Sequence, residues 1–138
     1  MAVSKKRSDC PISCSLDIWG DRWSLLIVRD LMLAKQCTYG DFLKSDEKIA
    51  TNLLASRLQT LEENSMITKS EHPDSKAKVL YKLTQKGIDL LPLMVEINLW
   101  AEKYFTLPAE RKAMLKEVKK DKEAYIKTAT KDLKKSSA

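Results

Sequence analysis

The side chains best suited to chemistry in this chain are three uncharged hydrogen-bonding groups within one segment. Asn52, Ser56 and Gln59 are spaced so that a helix places them on one face. The amides of Asn and Gln suit paired hydrogen bonds with adenine, and Ser suits bases or phosphates. Glu62 and Glu63 stand at the C-terminal end of the segment, away from where phosphates would approach. This pattern favours DNA contact over a solvated helix face, which more often carries Lys and Glu.

Cysteine thiols are the second reactive group, and Cys10 is the candidate sensor of oxidants or electrophiles. Pro11 is typical of the first turn of a helix, which predicts Cys10 at the N-cap. The helix dipole and upstream basic residues should favour the reactive thiolate; those residues are Lys5, Lys6 and Arg7. The same position suits an inert terminal residue or a small core residue. Cys14 is predicted in the core, and Cys37, in a turn, is either a resolving thiol or without a role.

Enzymatic and metal chemistry find little support in the sequence. The chain has one histidine, His72, and it has no Gly-rich phosphate loop, nucleophile motif or metal-ligand set. Cys10 and Cys14 have helical spacing and lack the further ligands that zinc needs. We therefore expect no enzyme activity, no catalytic residue, no metal and no cofactor.

Location is predicted from what the chain lacks. No apolar run approaches the length of a membrane span, and the basic N-terminus is not followed by the apolar core of a signal peptide. An odd number of cysteines, 3, without an export signal is typical of reduced thiols. We expect a cytoplasmic protein without a membrane partner.

Positive charge is concentrated at the C-terminal end. The net charge is +6, and most of it lies in the Lys-rich segment after Pro108, so overall basicity argues little for DNA binding. That segment carries an apolar stripe predicted to form a dimer arm, with the residues Met114, Leu115, Val118, Tyr125 and Leu133. A basic helix lying on a membrane surface is the alternative, and it is disfavoured because Tyr125 is the segment's only aromatic residue.

Periodicity and capping signals predict the elements that position these side chains. They are a helix from Pro11 to Gly20, a helix from Arg22 to Leu33 capped by Asp21, a short helix from Tyr39 to Lys44 opened by a Thr38–Asp41 capping box, and a helix from Thr51 to Asn64 with Leu54, Leu58 and Leu61 as its buried stripe. Lys35 to Cys37 is predicted to be a turn.

A β-hairpin and further helices should follow. Predicted strands from Met66 to Ser70 and from Val79 to Leu83 flank a turn at His72 to Lys76. Thr84 should cap a helix that begins at Gln85 and is interrupted near Pro92, and Asp121 should split the C-terminal helical stretch.

Two helices joined by a tight turn and followed by a hairpin predict a winged helix-turn-helix, mainly α with a small β-hairpin wing. A B-DNA major groove admits one helix, so the chain is expected to bind double-stranded DNA as a homodimer on a pseudo-palindromic operator. The candidate DNA contacts are Tyr39, Lys44, Thr51, Asn52, Ser56, Arg57, Gln59, Lys69, His72, Lys76 and Lys78. A plain solvated turn remains open for His72 and the hairpin lysines. A winged-helix protein-interaction module without specific DNA binding is the alternative function.

Several ordered motifs resemble the HxlR-type regulators, relatives of the MarR family. The resemblance covers residues 10–104, through CPISCSLDIWGDRWSLLIVRDLM, YGDFLKS, IATNLLASRLQTLEENSMITK, VLYKLTQKGIDLLPLM and Trp100. It implies a dimeric winged-helix DNA binder with N- and C-terminal dimerisation helices, a recognition helix from Thr51 to Asn64 and a wing from Lys69 to Leu83. Some members sense electrophiles or oxidants through a cysteine before the first helix, where Cys10 stands. Residues 1–9 would then be flexible, and residues 105–138 a basic amphipathic extension.

The chain departs from the family's pattern at two positions. Ala50 stands where the family usually has Ser, which predicts Thr51 as the cap of the recognition helix. Ser65 stands where the family usually has Gly, which predicts that Asn64 takes the left-handed conformation at the end of that helix.

Overall fold

The computed structural model describes residues 6–137. They form two compact units, one up to Gly87 and one from Ile88 to Ser136. The sequence predicted a domain over 10–104 and an extension over 105–138, and that division stays a prediction. Residues 1–5 of the predicted flexible segment 1–9, including Lys5, lie outside the described residues.

Both units are mainly helical, as predicted. The N-terminal unit contains α1 (Pro11–Trp19), α2 (Ser24–Ala34), β1 (Cys37–Thr38), α3 (Tyr39–Leu43), α4 (Thr51–Glu63), β2 (Ile67–His72) and β3 (Ser75–Leu83). A short helix, α5 (Gln85–Ile88), stands at the boundary, and the C-terminal unit contains α6 (Leu91–Glu102), α7 (Ala109–Lys120) and α8 (Lys122–Ser137). Within 6–137, no helix is long and apolar enough to cross a membrane.

The core of the N-terminal unit is built around α2. Its residues Ile27, Val28 and Leu31 are buried, and the helix contacts α1, α4, β1 and β3. The helix begins two residues later than predicted, at Ser24. The N-cap is Trp23 and not the predicted Asp21. Asp21 instead holds the turn before the helix, because its carboxylate accepts hydrogen bonds from the amides of Trp23 (2.9 Å) and Ser24 (3.0 Å).

The sheet has three antiparallel strands in the order β1-β3-β2. Its hairpin is longer than predicted: Ile67 pairs with Leu83, and only Pro73 and Asp74 remain at the tip. Strand β1 was missed, because Cys37 was placed in a turn. A two-residue strand shows no periodicity of its own, and it forms because Cys37 pairs with Tyr81 and Thr38 with Leu80.

Both predictions for the ends of α4 are wrong. Ala50 is the N-cap without a side-chain hydrogen bond, and Thr51 is already the first helical residue. At the other end, Asn64 has a φ of −92°, whereas Ser65 has a φ of 60°. The amides of Ser65 and Met66 donate to the carbonyls of Glu62 (3.0 Å) and Leu61 (2.9 Å). This Schellman motif requires the left-handed residue at position 65, whichever side chain stands there.

The C-terminal unit confirms two sequence signals and corrects a third. Helix α6 begins just before Pro92, and Asp121 caps α8 by accepting from the amide of Ala124 at 3.1 Å. The apolar stripe of the tail was expected to need a second subunit for its burial. That expectation is wrong for Leu115, Val118 and Leu133, which are buried within one chain.

Candidate nucleic-acid interface

Helix α4 has one buried face and one exposed polar face. Leu54, Leu58 and Leu61 are buried in the core. The exposed residues of the helix include Thr51, Asn52, Ser56 and Gln59. With a rise of about 1.5 Å per residue, these side chains span roughly two turns of the helix. The structure therefore brings the predicted reading residues together on one accessible surface.

Helix α3 is locked against the start of α4. Thr38 and Asp41 form the predicted capping box, with hydrogen bonds of 2.9 Å and 3.2 Å. The hydrogen bond from the Thr38 amide holds the pKa of Asp41 below its ordinary value. The hydroxyl of Tyr39 donates to the carbonyl of Thr51. Tyr39 thus sets the entry of α4, while Lys44 stays exposed at the end of α3.

A partly buried ion network holds the turn between α3 and α4. Arg29 donates to both carboxylate oxygens of Glu47, at 2.8 Å and 2.9 Å, and also to Asp30. The hydroxyl of Ser45 donates to Asp30 at 2.6 Å. The hydrogen bonds from Arg29 lower the pKa of Glu47 to about 2. This network, which the sequence patterns did not reveal, links α2 to the turn between α3 and α4.

Arg57 lies away from the exposed face of α4. Its guanidinium is 3.6 Å from Asp21, in the corner between α1 and α2, and both side chains are largely covered. Burial alone would raise the pKa of Asp21, but hydrogen bonds from Ser24 and from the Trp23 amide, together with Arg57, hold it below its ordinary value. Arg57 therefore links α4 to this corner of the protein through an ion pair. The sequence had predicted a DNA contact for it.

The acidic end of α4 engages two other candidate residues. The amide of Gln59 donates to Glu63 at 2.9 Å, and the ammonium of Lys69 lies 3.6 Å from Glu62. These groups line a groove between α4 and the hairpin, together with Tyr39, Ala55, Leu58 and Tyr81. Glu62 is therefore paired with Lys69, and Glu63 accepts a hydrogen bond from Gln59.

Two lysines of the hairpin, Lys76 and Lys78, lie outside this groove. Lys76 and Lys78 are exposed on β3, and Lys69 lies on β2. His72 is half-buried at the tip, where its Nδ1 accepts a hydrogen bond from the amide of Asp74 at 3.0 Å. His72 therefore shapes the turn, which favours the plain-turn interpretation for this residue.

Two exposed residues of α4, Leu53 and Ala55, were absent from the sequence-based candidates. Leu53 is 40% exposed, in the first turn of the helix. A signal for it was available, because a helical projection places residue 53 outside the arc of Leu54, Leu58 and Leu61.

The three cysteines occupy different environments. Cys10 is exposed at the N-cap of α1, as predicted, and its amide donates to the hydroxyl of Ser8 at 3.2 Å. Cys14 is half-buried, and its thiol donates to the Ser8 carbonyl at 3.3 Å. Cys37 is buried, and burial raises its pKa to about 12. Such a thiol is poorly suited to act as a resolving partner.

Two further observations bear on the predicted sensor. Lys6, one of the basic residues expected to favour the Cys10 thiolate, pairs with Asp9 at 3.1 Å. In the part of the chain that the structure describes, no group of three or more His, Cys, Asp or Glu side chains is arranged to hold a metal ion.

Comparisons with known proteins agree with this geometry. Residues 18–108 match the family model of the HxlR-like helix-turn-helix. YdeP of Bacillus subtilis, an uncharacterized HTH-type transcriptional regulator, is 32% identical over 95 residues, 69% of this chain and 73% of YdeP. YodB of the same organism, an HTH-type transcriptional regulator, is 30% identical over 96 residues, 69% of this chain and 85% of YodB.

Two solved structures have the same fold. PA1607 has a TM-score of 0.65 and 40% sequence identity, over 75% of this chain and 70% of that chain. The reduced form of YodB has a TM-score of 0.58 and 27% identity, over 70% of this chain and 95% of that chain.

Proposed function

Because this chain belongs to the HxlR-like helix-turn-helix family of transcription regulators, we propose that it binds a pseudo-palindromic DNA site as a homodimer, with α4 as its recognition helix. The exposed polar face of α4, opposite the buried leucines, is the observation that carries this proposal. A helix with such a face fits the major groove, and its N-terminal residues reach base edges. Asn52, Ser56 and Gln59 are the proposed base readers.

Phosphate contacts are assigned to the elements around α4. Lys76 and Lys78 are exposed on the hairpin, and Lys44 is exposed at the end of α3. Ammonium groups that replace condensed counterions on DNA give binding without sequence preference. These lysines therefore supply affinity and register, and the recognition helix supplies specificity.

Two exposed apolar surfaces support assembly into a homodimer. Helix α1 has no buried residue, and Ile12 is 71% exposed. At the end of α6, Trp100 is 58% exposed and its ring packs against Tyr104 and Phe105, with centroids 5.2 Å and 6.1 Å apart. Large exposed apolar patches are typical of interaction sites. We assign both surfaces to contacts with a second copy.

The test starts from DNA selected by the full chain out of a randomised duplex pool. Asn52→Ala should weaken binding to the selected site by about 1–3 kcal/mol and leave binding to random DNA nearly unchanged. Replacing Gln36, an exposed amide residue after α2, with Ala is the matched control and should change neither affinity. Equal losses on both DNAs for Asn52→Ala would contradict base reading by α4.

A salt titration separates the proposed function from the alternative of a protein-interaction module. Lys76→Ala and Lys78→Ala should weaken binding to every sequence and lower the slope of log K against log salt by about 0.9 for each phosphate that the variant no longer neutralises. A module that binds only proteins would select no DNA sequence and show no such slope on duplex DNA.

A redox or electrophile response through Cys10 is the second proposed activity. Cys10 is exposed at the start of α1, where an oxidant or electrophile can reach its thiol. Structures of YodB, the relative described above, include a quinone-bound and a diamide-treated form. An adduct or disulfide at Cys10 would stand in the proposed α1 interface and change the spacing of the two recognition helices, which a fixed operator tolerates poorly.

A further inference from the structure

Leu53 is an apolar side chain on the exposed part of the recognition helix. It is 40% exposed, whereas its neighbour Leu54 is fully buried. Helix α4 therefore contributes Leu54, Leu58 and Leu61 to the core of the N-terminal unit, and Leu53 lies outside that core. Exposed leucines that stand alone need no explanation in general, so the position of this one must carry the argument.

The first six residues of α4 carry no charge: Thr51, Asn52, Leu53, Leu54, Ala55 and Ser56. The nearest charge along the helix is Arg57, one turn after Leu53, and it is paired with Asp21. Lys and Arg are the side chains that neutralise phosphates, and these six residues include neither. A turn of amide, hydroxyl and apolar groups instead matches the floor of the major groove, where hydrogen-bonding atoms alternate with the methyl groups of thymine.

We propose that Leu53 contacts the 5-methyl group of a thymine in each half-site and thereby selects thymine over cytosine at that position. The proposal rests on the proposed function, because it needs α4 in the major groove. A helix projection puts residue 53 beside Ser56 and one step from Asn52, so the selected thymine lies next to the bases that those side chains read. Apolar contact is the one means of recognising this methyl group, which neither donates nor accepts a hydrogen bond.

Uracil replaces thymine without changing base pairing and removes only the methyl group, which makes it the direct probe. In the site selected by the full chain, each thymine of one half-site is replaced singly by uracil, and the affinity of each duplex is measured. Burial of one methyl group contributes about 0.8 kcal/mol. One thymine should therefore show about a fourfold loss of affinity for the unmodified protein.

Two variants assign that loss to a side chain. In Leu53→Ala, the thymine and uracil duplexes should bind equally, because the contact is already absent. In Leu33→Ala, which truncates an exposed leucine on α2, the fourfold difference should persist. Both leucines are exposed, so the circular dichroism spectrum should stay unchanged in both variants.

The outcomes distinguish this proposal from the proposed function. If no sequence is enriched in the selection, the proposed function fails and the role of Leu53 fails with it. If a site is enriched but no thymine shows the methyl effect, only the role of Leu53 is overturned. It is likewise overturned if Leu53→Ala keeps the difference between thymine and uracil, since another group would then read the methyl.

Discussion

The polar side chains of α4 are engaged to different degrees within the protein itself. Gln59 donates to Glu63, and Arg57 pairs with Asp21 and donates to the hydroxyl of Ser56 at 3.2 Å. The spacing of residues along α4 predicted which of them share a face, because that depends only on helix geometry. It could not predict the ion pair between Arg57 and Asp21. Asp21 lies far from α4 in the sequence, and the packing of α1 and α2 on α4 brings it to Arg57.

The reactivity of Cys10 gives a prediction at the scale of single residues. Diamide takes two electrons and two protons from a pair of thiols, which join in a disulfide. The pair expected here is the exposed Cys10 and Cys10 of a second copy, while the buried Cys37 stays reduced. We expect treatment of the unmodified protein to lower its affinity for the selected DNA site by about tenfold or more, which corresponds to roughly 1.4 kcal/mol. Cys10→Ser should bind the site normally and keep its affinity after treatment. The measurement is DNA affinity before and after diamide.

The control for this experiment is Cys14→Ser, which removes a half-buried thiol one turn later in α1. It should respond to diamide as the unmodified protein does. If Cys10→Ser loses as much affinity as the unmodified protein, or if the unmodified protein loses none, Cys10 is not the switch.

At the scale of elements, the starts of helices were easier to predict from the sequence than the strands that form by pairing with a distant segment. The Thr38–Asp41 box, Thr84 before α5 and Asp121 before α8 were predictable, because a cap is formed by residues a few positions apart. Strand β1 was not, because it exists through pairing with β3. The turn at Ser65 was assigned to the wrong residue, since the intrinsic preference of Asn for left-handed backbone is weaker than the hydrogen bonds that fix the helix end.

Ser65 allows a stability prediction for the end of α4. It holds a φ of 60°, which costs an L-residue about 1–2 kcal/mol and costs Gly almost nothing. Gly also makes the unfolded chain more flexible, which offsets about 0.4–1 kcal/mol. Ser65→Gly should therefore raise the free energy of unfolding by about 0.5–1 kcal/mol in urea titrations.

The comparison variant is Ser70→Gly, which changes an exposed serine within β2. It should lower the free energy of unfolding, because Gly weakens a strand interior. A Ser65→Gly protein that is no more stable than the unmodified chain would show that position 65 carries no backbone strain.

The Arg29–Glu47 pair gives the helix-turn-helix a pH dependence. The pKa of Glu47 is lowered from its ordinary 4.5 to about 2 in the folded protein. A carboxyl group with a lowered pKa stabilises the fold above its unfolded pKa, and that contribution is lost as the pH falls from about 4.5 towards 2. Glu47→Gln should cost about 2 kcal/mol at pH 7, and the difference from the unmodified protein should shrink over that interval.

Urea unfolding at several pH values measures this difference directly. Asp46→Asn, in the same turn but exposed, is the matched control and should change stability little at any pH. A cost of Glu47→Gln that stays constant between pH 7 and pH 3 would exclude a contribution from the ionised pair.

At the scale of the whole molecule, the sequence shows that positive charge is concentrated in the segment after Pro108, but it does not show what those lysines contact. Its lysines partly neutralise acids of its own unit, since Lys119 pairs with Glu102 and Lys122 with Glu96. Its apolar stripe is largely buried in one chain. Amphipathic periodicity shows that a helix has an apolar face, but it does not show whether that face packs within the chain or against a second copy. The tail is therefore a weaker candidate for the dimer interface than the exposed surfaces of α1 and α6.

We predict that the dimer forms through the exposed surfaces of α1 and α6. Leu16 on α1 and Trp100 on α6 are both exposed, and a charge placed at either should prevent their burial against a second copy. Leu16→Glu and Trp100→Glu should sediment as monomers at micromolar concentration, where the unmodified protein sediments as a dimer. Leu33→Glu, at an exposed leucine of α2 outside the proposed interface, should remain dimeric.

Because a dimer places two recognition helices in successive major grooves about 34 Å apart, the monomeric variants should lose affinity for the full palindrome and retain it for a single half-site. A monomeric variant that still binds the full palindrome with the unmodified affinity would contradict the proposed assembly.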